Sequence, residues 1–246
     1  MLIQRAKRDQ VYSTSEANAF AFGDDVAEVF DDMISRSVPG YLEIQLLMNS
    51  LVGRACSPGD TVYDLGCSTG TTLALIAKRF PQLNLNLVGI DSSRPMLERA
   101  EKKLEQLGLA SVIHLQSGDI TRDSLAPCRV VGLNYTLQFI PQDARLELLR
   151  KISHSLLPGG SLVLSEKTRL PSHPQSTMIR ELHEDFKVLN GYSAMEVARK
   201  RESLKNVLVP LSPEENEQLL YDAGFDFVSR VFQGFEFYSW IASKRS

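Results

Sequence analysis

The sequence predicts an α/β fold with a seven-stranded, mostly parallel sheet that ends in an antiparallel hairpin. Five β-like runs between Thr61 and Ser165 alternate with helical segments, a pattern that favours a parallel sheet with helices on both faces. Two further β-like runs near the C terminus flank a tight turn at Gln233-Gly234, which indicates a hairpin. A glycine-rich turn over residues 66–70 follows the first predicted strand, and ligands bind at such strand ends in open α/β sheets.

The elements were assigned from hydrophobic periodicity and from turn residues. Strands are predicted over residues 61–65, 85–90, 112–116, 129–133, 161–165, 225–232 and 235–242. Helices are predicted from Asp24, and over residues 41–52, 72–79, 95–107 and 142–156, with a stop at Leu157-Pro158-Gly159-Gly160. A polar helical stretch covers roughly residues 171–206. We expect a single domain over residues 1–246, with an N-terminal helical cap (1–56) and a helical insert (168–212) above the strand ends.

Composition excludes several classes of protein. The net charge of −3 disfavours a protein whose main task is binding nucleic acid, which is usually basic. Three cysteines without a CxxC spacing, and no HExxH pattern, favour a reducing compartment and predict no metal site. The sequence contains no signal-peptide pattern and no apolar run long enough to span a membrane, so we expect a cytoplasmic protein without a membrane partner.

Candidate binding residues stand at the ends of three consecutive predicted strands. Asp64 precedes the turn Gly66-Cys67-Ser68-Thr69-Gly70, whose glycines allow the backbone to approach a ligand closely. Asp91 follows at a spacing typical of an acid that binds ribose hydroxyls. Asp119, followed by Ile120, ends the third strand. Three such elements in chain order favour a nucleoside-containing cofactor.

Each element also has a structural explanation. The glycine turn could be an ordinary loop between strand and helix, and Asp91 could cap the next helix. An NAD-binding site is the competing functional interpretation. The GxSxG form of the turn, the terminal hairpin and the LPGG turn before strand five resemble instead the class I, Rossmann-like methyltransferase fold, whose enzymes bind S-adenosylmethionine.

A closer resemblance covers nearly the whole chain. The sequence resembles the carboxy-S-adenosyl-L-methionine synthase family in the segments Val26–Phe30, Arg36–Tyr41, Val62–Ser68, Asn134–Phe139, Leu164–Lys167, His183–Lys187, Asn190–Ser193 and Lys200-Arg201. The segments Arg36–Tyr41 and Asn190–Ser193 lie outside the generic cofactor motifs, so they discriminate within the superfamily. The first twenty residues match poorly.

This resemblance implies an enzyme that converts S-adenosylmethionine and prephenate into carboxy-S-adenosylmethionine and phenylpyruvate. It also implies a homodimer, and a separate enzyme that uses the product to modify the wobble uridine of tRNA. The cofactor-binding residues it implies are Tyr41, Asp64, Gly66, Cys67, Ser68, Asp91, Ser92, Asp119, Ile120, Asn134 and Arg201. Arg201, from its own or the neighbouring subunit, and Tyr41 would contact the added carboxylate and are the candidate catalytic residues. Ser92 departs from the asparagine that is usual in the family, so altered ribose contacts are expected.

One physical argument agrees with this assignment. An arginine about 4 Å from a sulfonium cation would be repelled by roughly 4 kcal/mol at an effective dielectric constant near 20. Arg201 becomes favourable there only if the cofactor gains a carboxylate or the second substrate is a dianion. Structural explanations remain: Arg201 could lie on a solvated helix face, and Tyr41 could simply pack on the core.

Two further residues are weaker candidates. Tyr192 and His183 are possible substrate contacts, although a histidine on the helix surface is the more ordinary expectation for His183. No protein base stands out, so the hydroxide that leaves prephenate is a candidate acceptor of the methyl proton. Two other functions remain open: an ordinary small-molecule methyltransferase, and a cofactor-binding or tRNA-tethered protein without turnover.

Overall fold

The computed structural model describes residues 7–13 and 19–245. Within them a seven-stranded sheet has the order β3-β2-β1-β4-β5-β7-β6. The strands are β1 Thr61–Leu65, β2 Asn86–Asp91, β3 Ile113–Ser117, β4 Cys128–Asn134, β5 Leu156–Lys167, β6 Phe227–Gly234 and β7 Phe237–Ser243. The first five strands pair in parallel, whereas β7 lies antiparallel between β5 and β6. The predicted fold class is confirmed.

Helices cover both faces of this sheet. They are α1 Asp24–Ser37, α2 Tyr41–Ala55, α3 Thr71–Arg79, α4 Arg94–Gln106, α5 Gln142–Ser155, α6 Pro174–Leu189, α7 Ala194–Ser203 and α8 Pro213–Asp222, with 3₁₀ turns at Pro81–Leu83 and Leu137–Phe139. Helices α2 and α3 pack on one face, and α5 and α8 on the other. In the described part of the chain, none of these helices combines the length and the apolar character that a membrane crossing requires.

The central strand β4 illustrates why the sequence forms this sheet. Val130, Val131 and Leu133 are fully buried, because neighbouring positions of a parallel strand face helices on opposite sides. Their side chains belong to two apolar clusters, one on each face of the sheet. Helix α2 contributes Met48 and Val52 to one of these clusters, so it packs against the sheet.

Helix α8 was not predicted. Its start carries a capping box in which the Ser212 hydroxyl accepts from the Glu215 N–H, while the Glu215 carboxylate accepts from the Ser212 N–H. Pro213 occupies the first turn, where its missing N–H costs no hydrogen bond. The tetrapeptide Ser-Pro-Glu-Glu was therefore a sufficient signal for a helix.

Two predicted turns differ from the structure. The hairpin turns at Phe235-Glu236, two residues later than predicted, so that β6 is displaced by two residues along the chain; its pairing with β7 shifts register between Arg230 and Phe232. The helix before residues 157–160 ends at Ser155, one residue before the predicted end, but residues 157–160 form the first part of β5, which begins at Leu156, and not a separate turn. Gly159 has φ +74° in this irregular part of the strand, where the pairing with β4 also shifts register.

The described N-terminal residues 7–13, here called the strap, are attached to α6, α7 and their linker (residues 174–203), here called the roof. Arg199 Nη1 donates to the carbonyl oxygens of Tyr12 and Ser13 at 2.9 and 2.8 Å. The Tyr192 hydroxyl donates to the buried carboxylate of Asp9. The strap thus fixes the roof. The sequence showed no clear pattern over the first twenty residues, and of these residues 1–6 and 14–18 lie outside the described part of the chain.

Candidate functional site

A cavity of about 840 Å³ lies at the carboxyl ends of β1, β2 and β4, below α1 and the roof. This is the edge at which open α/β sheets bind ligands. Every cofactor-binding candidate named from the sequence lines this cavity: Tyr41, Asp64, Gly66, Cys67, Ser68, Asp91, Ser92, Asp119, Ile120, Asn134 and Arg201. The fold therefore brings these candidates to one place.

The glycine-rich turn is shaped for close approach. Gly66 has φ +77°, and a Cβ atom there would lie 2.3 Å from the Thr136 Oγ1 atom, so only glycine fits without movement. The N–H groups of Gly66 and Cys67 both donate to the Ile90 carbonyl oxygen, at 2.8 and 3.2 Å. These bonds hold the turn against the end of β2.

Asp91 and Asp64 place carboxylates at the ends of two adjacent strands. Asp91 accepts from the Ser68 and Ser93 N–H groups, each at 2.8 Å, and burial raises the pKa of its carboxyl group. Ser93, and not Asp91, is the N-cap of α4. Asp64 is only 4% exposed, and burial, with the neighbouring Asp91 charge adding to it, raises its pKa to about 7.

Asp119 lies differently from the sequence expectation. It stands two residues beyond the end of β3 and is half exposed, whereas Ile120 beside it is buried. The Thr121 hydroxyl and N–H donate to Asp119 Oδ1 at 2.6 and 2.9 Å, and these bonds lower the pKa of the carboxyl group. Asp119 is therefore an ionised hydrogen-bond acceptor at the rim of the cavity.

Asn134 is oriented by a chain of serine hydroxyls. Ser239 Oγ donates to Ser165 Oγ, which donates to Asn134 Oδ1, each at 2.8 Å. The next residue, Tyr135, has φ +58°, an uncommon conformation for a bulky side chain. Such backbone strain is more common at functional sites than elsewhere.

Several buried polar atoms at the cavity have no partner among the described residues. They are Gln45 Oε1, Asn134 Nδ2, the Tyr135 hydroxyl and Glu236 Oε2. Leaving a buried polar atom unsatisfied costs about 1–3 kcal/mol, so such atoms usually pair with a ligand or with water. Both donors and acceptors are present, which fits a polar ligand such as an adenosyl amino acid.

Tyr41 enters the cavity from the first turn of α2. The preceding Gly40 has φ +71° and lies against the Phe232 ring, where a Cβ atom would clash at 2.0 Å. Burial, with the nearby carboxylates of Asp31 and Asp64 adding to it, raises the pKa of the Tyr41 hydroxyl. Tyr41 is therefore a neutral hydrogen-bond donor, and its position is set by the turn rather than by core packing alone.

Arg201 reaches the cavity from α7. Its Nη1 atom lies 2.5 Å from Glu184 Oε1 of α6, and 66% of its side chain is exposed. The helix-surface explanation is thus partly correct, because the guanidinium both faces solvent and lines the cavity. Five further cations line the same end of the cavity: Lys167, Arg180, Lys187, Lys200 and Lys205.

His183 is not on the helix surface; it is 2% exposed, so that expectation was wrong. Its Nε2 atom lies 2.9 Å from the Ser37 carbonyl oxygen, which can only accept, and its Nδ1 atom lies 2.9 Å from Glu236 Oε1. Burial opposes ionisation of Glu236, but His183 and Lys167 outweigh it and lower its pKa to about 2. Tyr192 is not among the residues that line the cavity, because its hydroxyl binds the strap.

Sequence reasoning missed one polar junction at the cavity. Asp31 of α1 accepts from Thr69 Oγ1 at 2.6 Å and from Thr71 Oγ1 at 3.2 Å, and its Oδ2 atom lies 2.5 Å from Lys103 Nζ. This junction joins α1 to the glycine-rich turn. The chain separation of nearly forty residues between Asp31 and Thr69 gave no signal that they meet.

Comparison with known proteins gives the family. A methyltransferase-domain model matches residues 62–160. Carboxy-S-adenosyl-L-methionine synthase of Haemophilus ducreyi is 39% identical over 97% of this chain and 99% of its own length. The synthases of Nitratiruptor and Desulfotalea psychrophila are 41% and 42% identical over 97% of this chain, and over 99% and 98% of their own lengths. This chain belongs to the carboxy-S-adenosyl-L-methionine synthase family. It is therefore a transferase-family enzyme, as the resemblance predicted.

Solved structures support the fold alone. An O-methyltransferase family protein from Burkholderia thailandensis superposes with a TM-score of 0.64 at 19% identity, over 90% of this chain and 60% of the longer one. Human N-acetylserotonin methyltransferase in complex with SAM gives a TM-score of 0.60 at 17% identity, over 90% and 56% of the two chains. Among residues 7–13 and 19–245, no cluster of His, Cys, Asp or Glu is arranged to hold a metal ion.

Proposed function

We propose that this protein transfers a carboxyl group from prephenate to S-adenosylmethionine, forming carboxy-S-adenosylmethionine and phenylpyruvate. The observation that carries the proposal is the division of charge in the cavity. Asp64, Asp91 and Asp119 line it at or just beyond the ends of β1 to β3, whereas the lining lysines and arginines come from the end of β5, from α6 and α7 and from the segment after α7. S-adenosylmethionine carries two cationic groups and prephenate two carboxylates, so each suits one end. The names of the relatives support the product.

Residues at the strand ends would hold S-adenosylmethionine. The Asp91 carboxylate is an acceptor for ribose hydroxyls, with Ser92 beside it, and Asp119 is an acceptor for the adenine amino group while Ile120 covers the ring. The unpartnered Asn134 Nδ2 atom is a donor for the cofactor, and the Gly66–Ser68 turn admits it closely. The bound S-adenosylmethionine supplies the sulfonium methyl carbon that receives the carboxyl group.

The proposed reaction balances without an external oxidant or base. Prephenate loses its ring carboxyl group and its hydroxyl group and becomes aromatic. The carboxyl carbon forms a bond to the former methyl carbon, and the methyl proton leaves with the hydroxide as water. The protein's task is to hold the two substrates in contact and to exclude bulk water, which would otherwise compete. The roof, fixed by the strap, is suited to that task.

Tyr41 and Arg201 are the proposed contacts of the new carboxylate. The Tyr41 hydroxyl remains a neutral donor because burial raises its pKa. The Arg201 guanidinium can offer two parallel N–H donors to a carboxylate. Both interactions exist with the carboxylated product but not with the plain methyl group, so they favour product over substrate.

Mass spectrometry of the small molecules after incubation with S-adenosylmethionine and prephenate tests this function. The expected product is heavier than S-adenosylmethionine by the mass of carbon dioxide, and phenylpyruvate accompanies it in equal amount. A reaction without prephenate is the control. A methylated acceptor with S-adenosylhomocysteine would refute the proposal and favour an ordinary methyltransferase. Unchanged S-adenosylmethionine without any product would also refute it and favour a binding protein.

The biological setting is part of the same proposal. We propose a cytoplasmic homodimer whose product serves a separate enzyme that carboxymethylates the wobble uridine of tRNA, with no direct nucleic-acid contact by this chain. The net charge of −3 supports that last point. Arg201 is partly exposed, so a neighbouring subunit can be placed within its reach.

A further inference from the structure

The roof end of the cavity holds more positive than negative charge. Six cations line it (Lys167, Arg180, Lys187, Lys200, Arg201 and Lys205), together with three carboxylates (Glu184, Glu202 and Glu236). Three ion pairs consume those carboxylates: Lys167 with Glu236, Arg201 with Glu184, and Lys205 with Glu202. Arg180, Lys187 and Lys200 have no ion-pair partner in the described part of the chain.

Lys187 is the least satisfied of these cations. Arg180 bonds the Thr177 hydroxyl, and Lys200 bonds the Ser37 hydroxyl at 2.9 Å and lies over the Tyr192 ring. Among residues 7–13 and 19–245, no hydrogen bond or ion pair involves the Lys187 ammonium. Burial, together with the positive charge of Lys167, lowers its pKa to about 8. Lys187 is partly buried and lines the cavity, and a partly desolvated ammonium without an ion-pair partner is a candidate for binding an anionic ligand.

The neighbourhood of Lys187 is rigid. Glu236 is 2% exposed and stays ionised, and its Oε1 atom lies 3.2 Å from Lys167 Nζ and 2.9 Å from His183 Nδ1. His183 is fixed in turn by the Ser37 carbonyl oxygen. The buried His183–Glu236 pair therefore fixes the position of Lys167 near Lys187. The second carboxylate oxygen of Glu236, Oε2, has no partner among the described residues. The carboxylates that act on Lys187, Glu236 and Glu184, are each already paired with another cation, Lys167 and Arg201, so positive charge remains in excess here and favours one more carboxylate.

We propose that Lys187, with Lys167 held next to it by Glu236, binds a carboxylate of the carboxyl donor at the roof end of the cavity. This inference rests on the proposed function, because it takes the donor to be a dicarboxylate. It separates the cavity into two subsites: cofactor at the strand ends, donor under the roof. The donor's carboxylate supplies the counter-charge that Lys187 lacks, and the unpartnered Glu236 oxygen is an acceptor for the donor's hydroxyl group.

Isothermal titration of prephenate into protein saturated with S-adenosylhomocysteine tests this assignment. S-adenosylhomocysteine lacks the reactive methyl group, so binding is measured without turnover. The Lys187→Met variant removes the charge and keeps an unbranched side chain only one atom shorter, and Lys187→Arg keeps the charge. Lys102→Met makes the same chemical change on the exposed face of α4, away from the cavity, and is the matched control.

The expected result is at least a roughly tenfold weaker prephenate affinity for Lys187→Met, because a charge-assisted hydrogen bond to a carboxylate is lost. Lys187→Arg should stay closer to wild type, Lys102→Met should match it, and S-adenosylhomocysteine affinity should not change in any variant. Lys187→Met removes a partly buried charge that has no ion-pair partner, so its melting temperature should equal or exceed that of the wild type. A melting temperature in that range shows that the variant is folded and that misfolding does not cause the lower affinity.

Two results would overturn the inference. Equal prephenate affinity of Lys187→Met and wild type would show that Lys187 does not bind the donor. A parallel loss of S-adenosylhomocysteine affinity would assign Lys187 to the cofactor. The proposed function can fail separately. If prephenate binds through Lys187 but no carboxylated product forms, the assignment of the donor subsite is supported and the proposed reaction is refuted.

Discussion

Replacement of Arg201 by alanine should separate catalysis from stability. The Arg201–Glu184 pair is largely exposed on the arginine side, at 66% against 36%, and such pairs contribute only about 0–1 kcal/mol to the free energy of unfolding. A hydrogen bond from a charged donor to a carboxylate contributes about 1.5–3 kcal/mol, which corresponds to a roughly tenfold to 150-fold fall in kcat/KM. The variant should therefore lose activity without a matching loss of stability.

Glu184→Gln is the matched control for this experiment. Both variants remove the same ion pair, but only Arg201→Ala removes the guanidinium from the cavity. The melting temperature should change by the same small amount in both variants. Formation of carboxy-S-adenosylmethionine, followed by mass spectrometry, should fall in Arg201→Ala and be retained or rise in Glu184→Gln, in which the arginine is released from a competing carboxylate. Wild-type rates of carboxylation in Arg201→Ala would refute the proposed role of Arg201.

Three further variants test other parts of the site. Burial raises the pKa of Asp64 to about 7, so the folded protein keeps a proton that the unfolded chain loses above about pH 4. Stability should therefore fall as pH rises from about 4 to 7, and Asp64→Asn should flatten that slope in urea unfolding; an unchanged slope would contradict the assignment. Gly66→Ala should destabilise the protein by about 1–3 kcal/mol in thermal unfolding, more than Gly108→Ala, which shares a positive φ but meets no neighbouring atom. Tyr192→Phe should cost about 1–3 kcal/mol in urea unfolding, since it removes the donor to the Oδ2 atom of the buried Asp9 carboxylate, while prephenate affinity changes little; a large loss of affinity with unchanged stability would make Tyr192 a substrate contact instead.

The strand ends were predictable because their signals are local. The turn at Gly66 and the acid at Asp91 each follow a recognisable apolar run, and strand ends in a parallel sheet meet at one edge. Even there the sequence did not predict partners: the N-cap of α4 is Ser93, and the Asp91 carboxylate binds the Ser68 N–H group instead.

The roof end was not predictable in the same way. Lys187 and Glu236 lie almost fifty residues apart, and His183 joins them to a carbonyl of α1. A histidine in a polar helix has the sequence pattern of a surface residue; only the packing of α6 against β7 and α1 buries it. Tertiary contacts of this kind leave no periodic trace in the chain.

The attachment of the strap to the roof has a consequence for how the chain folds during its synthesis. Tyr12 and Asp9 leave the ribosome early, but their partners Arg199 and Tyr192 follow about 180 residues later. The strap also has partners closer in the chain: the Asp9 N–H donates to the Asp32 carboxylate of α1, and Arg36 donates to the Asp9 carbonyl oxygen. Only its bonds to the roof depend on residues synthesised after β5. Contacts with such wide sequence separation form slowly, because the entropy of closing the loop must be overcome first. A nascent chain released before residue 190 would therefore hold the strap through α1 alone.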